Sequence, residues 1–300
     1  MDYRQKLKGK ACPVFSKCFK SKESSNKMNL PYKNYIGVID SGVGGISVLK
    51  RAACALPAEN FVYFGDSANA PYGEKDPDWV CKRTQEIVDG LVSDGCKAIV
   101  MACNTATSAA AECVRKHHAH MPIIGVEPAL KVAVTSHVAK SILVMATPVT
   151  VRLQKYQQLY NRWGQCAGVK TAICWGLAGR IEAGNLNAPD VLELLERLIG
   201  EYKANVDGVV LGCTHYPFVA SQIRKVLGRD VPLFDGAFGT ARQLKAQLKQ
   251  RGLLANESCT ITKSSTHKGK IVFRSSINTP AQLKLYEAFF TQELETNEWT

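Results

Sequence analysis

Three hundred residues, 46% of them hydrophobic and 21% charged, leave room for two domains with cores of their own; no apolar run approaches the ~20 residues that a bilayer requires, which argues against a membrane protein. Of the net charge of +12, +7 falls within residues 1–33, from nine Lys/Arg against Asp2 and Glu23, so the body is only mildly basic and calls for no nucleic-acid partner. Eleven cysteines form an odd, scattered set in a chain long enough to need no covalent staples, which points to reduced thiols and a cytoplasmic setting.

Residues 1–34 read as a solvated basic extension, without the continuous apolar stretch of a secretory signal or the arginines of a mitochondrial presequence. From Tyr35 onward short apolar runs alternate with longer helical stretches, the pattern of parallel sheets flanked by helices. A strand at 36–39 leads through Asp40-Ser41-Gly42-Val43-Gly44-Gly45 into a helix at 45–55. A strand at 60–64, a helix at 78–93 and a strand at 98–101 follow, the last ending at Ala102-Cys103-Asn104-Thr105-Ala106. A helix at 107–117 closes on His117, His118 and His120, which read as a solvated helix end rather than a metal site. Strands at 123–126 and 141–145, a helix at 149–163, a strand at 170–174 and a helix at 188–204 come next. The strand at 208–211 runs into Gly212-Cys213-Thr214-His215-Tyr216-Pro217. A helix at 218–227, a short strand at 233–234, a helix at 239–250, an aperiodic polar loop at 252–270, a strand at 271–273 and a helix at 281–294 complete the chain.

The spacing of the polar strand ends repeats. Cys103 stands 63 residues after Asp40, and Cys213 stands 66 residues after Thr147, each at the C-terminal tip of a strand, where open α/β sheets place their ligands. Two similar halves facing each other would present one thiol from each side. The glycines of 42–45 fit a tight strand-to-helix turn and a helix N-terminus able to receive an anion. A dinucleotide fingerprint fails there because Ser47 occupies the third glycine position. Cys54, Cys81, Cys96, Cys113, Cys166, Cys174 and Cys259 read as small buried hydrophobes or surface bystanders. Cys103 differs in having Asn104 and Thr105 beside it and a helix N-terminus that would lower its pKa. Cys213 has His215 two residues on, a group that can tune a thiol or move a proton. Cys-x-His without a companion pair is a poor zinc signature, so no metal is expected.

The segments 40–45, 102–106 and 212–217, in this order and spacing, resemble the glutamate racemases of the aspartate/glutamate racemase superfamily. The likeness runs from about Tyr35 to Gln250. Within it, 69–75 resembles the family's substrate loop, 125–129 its domain crossover and 181–184 its second acidic position. The resemblance implies an α/β fold of two pseudo-symmetric domains, each a mostly parallel sheet flanked by helices, with the active site in the cleft between them. It divides the chain into 35–127 plus 239–300 and 128–238, after the extension 1–34. It implies a cofactor-independent, two-base interconversion of L- and D-glutamate that supplies D-glutamate for peptidoglycan. Cys103 would deprotonate D-glutamate with help from Asp40, and Cys213 L-glutamate with help from His215 and Glu182. Asp40, Ser41, Pro71, Tyr72, Gly73, Asn104, Thr105, Thr147, Thr150, Thr214 and His215 would hold the substrate. Regulation by a cell-wall precursor and dimerisation are further traits of some relatives. Two positions depart from the family: 174–182 reads CWGLAGRIE, where a proline and a second aliphatic residue are more usual before the acid, and Gly236 stands where serine is usual.

Competing readings are an aspartate racemase, a cysteine-nucleophile hydrolase and a non-enzymatic binder acting through the basic extension. The histidine of GCTHYP favours glutamate over aspartate, and a hydrolase would leave the second cysteine without a role.

Overall fold

A computed structural model describes residues 30–136, 139–164, 168–255 and 268–294. Most of the basic extension and of the loop at 252–270 therefore lies outside the described residues. Among the described residues, nine strands form two all-parallel sheets. The first contains β1 (Ile36–Asp40), β2 (Phe61–Gly65), β3 (Ala98–Met101), β4 (Ile123–Gly125) and β9 (Ile271–Ser275) in the order β4-β3-β1-β2-β9. The second contains β5 (Ser141–Ala146), β6 (Gly168–Ile173), β7 (Gly208–Leu211) and β8 (Leu233–Phe234) in the order β6-β5-β7-β8. Strands β1, β2, β3 and β7 are buried along their whole length, as expected for strands covered on both faces.

Reversed, the second order is β8-β7-β5-β6, which matches β4-β3-β1-β2 strand for strand. The echo of spacing is thus topological. In each sheet the first strand of its set is flanked by the second on one side and the third on the other, creating a switch point at its C-terminal end. Even the hydrogen bonds correspond: Ala102 N–H donates to Ile39 O and Gly212 N–H to Met145 O, both at 2.8 Å, in each case one residue before the cysteine.

The helices α1 (Ile46–Ala55), α2 (Pro77–Ser93), α3 (Asn104–His117), α4 (Leu130–Thr135), α5 (Pro148–Arg152), α6 (Gln154–Trp163), α7 (Leu177–Glu182), α8 (Pro189–Ile199), α9 (Ala220–Leu227), α10 (Ala237–Gln250) and α11 (Pro280–Thr291) cover the sheets. Helix α10 packs along α1, so the chain returns to the first sheet after β8. One continuous apolar cluster spans both sheets and includes Val38, Val100, Leu143 and Leu211.

Several elements differ from the sequence-based expectation. The helix expected at 149–163 is two helices, because Leu153 is extended at φ −75°, ψ 140°. The preceding turn is fixed by Thr147, whose hydroxyl caps it by accepting from Thr150 N–H. Helix α3 begins at Asn104 rather than 107, since Cys103 itself serves as its N-cap. Helices α4 and α7 are too short to show a helical period in the sequence. His118 is buried against Asp89 instead of solvated, with Nε2 to Oδ1 at 2.7 Å.

Candidate active site

The C-terminal ends of β1, β3, β5 and β7 supply most of the residues singled out by the sequence; Pro71, Tyr72 and Gly73 come from the loop after β2 and Glu182 from the end of α7. Asp40 ends β1 and is buried; its Oδ1 accepts from Gly42 N–H at 2.9 Å and its Oδ2 from the Thr214 hydroxyl at 3.1 Å. Gly45 is required beneath it, since a Cβ there would lie 2.5 Å from the Asp40 Cβ. Burial raises the Asp40 pKa, against the pull of His215 and the Gly42 N–H.

Cys103 follows β3 and is 6% exposed. Its Sγ accepts from Ala106 N–H at 3.5 Å and lies 3.9 Å from Ser41 Oγ. The expectation of a depressed pKa is overturned. Burial and the neighbouring Asp40 carboxylate push the thiol well up, and the helix N–H only partly offsets them. Cys213 follows β7 and is 8% exposed, with Sγ 3.5 Å from His215 Nδ1. The far side of that ring, Nε2, meets Glu182 Oε1 at 2.8 Å, and Glu182 Oε1 also accepts from Val43 N–H at 2.5 Å. Burial opposes a charge on His215, yet the Cys213 thiol and the Glu182 carboxylate outweigh it and raise the imidazole pKa well above its ordinary value. Gly44 makes room for this ring: a Cβ would lie 2.5 Å from His215 Nδ1.

The two halves meet through further polar contacts. Thr105 Oγ1 lies 3.2 Å from both Thr147 Oγ1 and Thr150 Oγ1, which are 2.9 Å apart, and all three are buried. The loop at 70–75 crosses to the second half, where Gly73 abuts Thr147 so closely that a Cβ would lie 2.6 Å from its Cβ; Glu74 Oε1 accepts from Gly176 N–H at 3.1 Å. Pro71 sits beside Gly179 at the same crossing. Asn104, Cys213 and Thr214 line one small cavity with Ser47 and Pro217. Asn104 Oδ1 is buried and has no hydrogen-bond partner among the described residues.

Sequence reasoning missed a second group that holds this loop. Asp66, fully buried after β2, receives a two-pronged ion pair from Arg83, Nε to Oδ2 at 2.8 Å and Nη2 to Oδ1 at 2.9 Å. It also accepts from the Tyr72 hydroxyl at 2.6 Å and from the Asn69 amide. Burial disfavours its charge, but these donors hold its pKa below the usual value. The signal was available: Arg83 lies on the apolar face of α2, between Val80 and Ile87, where a charge needs a buried partner. At the other departure from the family, a Cβ on Gly236 would collide with Glu127 O, so a side chain there requires a backbone shift.

The comparisons with known proteins agree with this geometry. Residues 36–244 match the model of the Asp/Glu/Hydantoin racemase family. A glutamate racemase of Clostridium perfringens is 44% identical over 219 residues, which is 73% of this chain and 84% of that protein. The glutamate racemase of Francisella tularensis subsp. tularensis SCHU S4, solved in complex with D-glutamate, superposes with a TM-score of 0.70 at 27% identity, covering 90% of this chain and 97% of that one. That of Escherichia coli, solved with L-glutamate and the activator UDP-MurNAc-Ala, gives 0.72 at 27% identity over 86% and 95%. A parallel-sheet pair with a cysteine at the tip of corresponding strands, matched over most of its length, makes this chain a member of the Asp/Glu/Hydantoin racemase family.

Proposed function

We propose that the chain is a glutamate racemase, interconverting L- and D-glutamate without a cofactor and supplying the D-enantiomer for peptidoglycan. The observation that carries the reading is the pairing of Cys103 and Cys213 on topologically equivalent strand tips, with Thr214, beside the second thiol, donating to the Asp40 carboxylate that neighbours the first. The cytoplasm suits it, since eleven cysteines, an odd and scattered set, fit a compartment that keeps thiols reduced.

The chemistry follows from the surroundings of each thiol. One sulfur, as thiolate, removes the Cα proton; the other, as thiol, donates one to the opposite face, and the two protonation states exchange with each turnover. Cys103, raised by burial, rests as the thiol. Cys213 rests beside a His215 imidazolium held by Glu182, which suits it to accept a proton from L-glutamate. Asp40 serves Cys103 in the reverse direction. Asn104 Oδ1, a buried acceptor without a partner among the described residues, fits a substrate ammonium, and the Thr105, Thr147 and Thr150 hydroxyls fit a carboxylate. Ser41, Pro71, Tyr72, Gly73 and Thr214 complete the enclosure. Dry walls and fixed dipoles stabilise the carbanion where no electron sink is present. The division into 35–127 plus 239–300 and 128–238 is part of the same proposal, with closure of one half on the other as the step that excludes water.

The test incubates the protein with L-glutamate, D-glutamate, L-aspartate and D-aspartate in D2O, following circular dichroism and Cα deuterium. Both glutamates are expected to racemise with label. Exchange of aspartate alone would replace this reading with its nearest rival.

A cell-wall precursor as regulator is a second reading, resting on a cavity of about 830 Å³ between the halves, lined by Arg115, Lys131, Arg242 and Arg251. Glu127 and Asp235 share its wall, so the charge is mixed but predominantly basic, which suits a nucleotide-linked acid. Adding UDP-MurNAc-Ala should raise the initial rate in the native chain and not in Lys131→Ala; no change in either removes the regulator.

A further inference from the structure

At the end of α3 opposite to Cys103, three side chains converge on the outer surface. Asp89 Oδ1 on α2 lies 2.7 Å from His118 Nε2 and 3.9 Å from His117 Nε2. The three potential ligand atoms lie within 4.8 Å of one another. His118 is held in place by burial, whereas the His117 and Asp89 side chains are 63% and 45% exposed. Gln85 Nε2 donates to the same Asp89 oxygen at 2.6 Å, which orients the carboxylate. We propose that Asp89, His117 and His118 form a binding site for a divalent late transition metal, zinc being the type case, that fastens the end of α3 to α2.

Two imidazoles and one carboxylate are the donor set that suits a borderline dication, with water taking the remaining position on the exposed side. Tetrahedral zinc with ligands at about 2.0–2.2 Å needs the donors a little over 3 Å apart. The Asp89 separations of 2.7 and 3.9 Å straddle that spacing and the three donors lie within 4.8 Å of one another, so closing the shell takes a movement of the exposed His117 ring towards His118. The ion would fasten the last turn of α3 to α2, at the end of the helix remote from Cys103. Racemisation does not require it.

Cobalt(II) and zinc(II) titrated into the full chain test the site. One equivalent of cobalt should show visible d–d bands without the thiolate charge-transfer band that the chain's cysteines would produce, and zinc should displace it. His117→Ala, at an exposed position, and Asp89→Asn should each weaken that equivalent by about tenfold or more while the racemase rate stays unchanged. Unaltered affinity in both variants, a spectrum carried only by thiolate bands, or no bound equivalent would each overturn the proposal.

Discussion

The hydroxyl of Thr214 donates to the carboxylate of Asp40 at 3.1 Å, joining the residue beside one thiol to the acid that faces the other across 174 positions of sequence. Removing that donor leaves a buried carboxylate oxygen short of a partner. Thr214→Val should therefore lower kcat/KM by about tenfold or more, in both directions, consistent with an uncompensated buried acceptor. Steady-state kinetics from each enantiomer check it.

Asp40 gives a pH-dependent stability signature. Its folded pKa is raised by burial, so the stabilisation it contributes is fully present below the unfolded carboxyl pKa and is lost as pH rises through the folded one. Asp40→Asn imitates the neutral state. Thermal unfolding should show the variant gaining on the native chain as pH rises from 4 to 7, while racemisation falls. An equal difference at both pH values would count against a strained, ionised Asp40.

Gly42 offers a test of Glu182 that leaves every polar group in place. A Cβ there would collide with the Glu182 carboxylate and push it off His215. Gly42→Ala should accordingly reproduce the kinetic defect of Glu182→Gln, with the larger loss when L-glutamate is the substrate. A Gly42→Ala protein with native rates would mean that the contact between Glu182 and His215 is dispensable.

Parts of this arrangement were legible in the sequence and parts were not. The strands at 98–101, 208–211 and 233–234 were read to the residue, because runs so apolar have no other home than a sheet covered on both faces. The two catalytic candidates were legible because each cysteine follows such a run directly. The contacts of Glu182 with Val43 and of Thr214 with Asp40 bridge 139 and 174 residues, and no local periodicity encodes a pairing of that range. The Cys103 pKa was misjudged because a helix N-terminus is visible in sequence, whereas burial and a facing carboxylate are not. Asp66 was passed over although Arg83, a charge on an apolar helix face, signalled that such a partner must exist.

Arg83→Met should destabilise the chain by about 3–5 kcal/mol, since it leaves Asp66 charged and buried without its two-pronged partner. Adding Asp66→Asn should recover a large share of that loss. The double variant should still show a raised KM, because the Tyr72 hydroxyl loses the carboxylate that positions its loop. Denaturant unfolding and steady-state kinetics of the single and double variants separate the two effects.

The most direct measurement follows Cα deuterium and optical activity together in Cys103→Ala and Cys213→Ala. On the proposed two-base mechanism, both variants should lose racemisation by about 10²–10⁴-fold, while Cys103→Ala retains slow exchange of L-glutamate only and Cys213→Ala of D-glutamate only. Racemisation surviving in both variants would contradict two-base catalysis by these thiols.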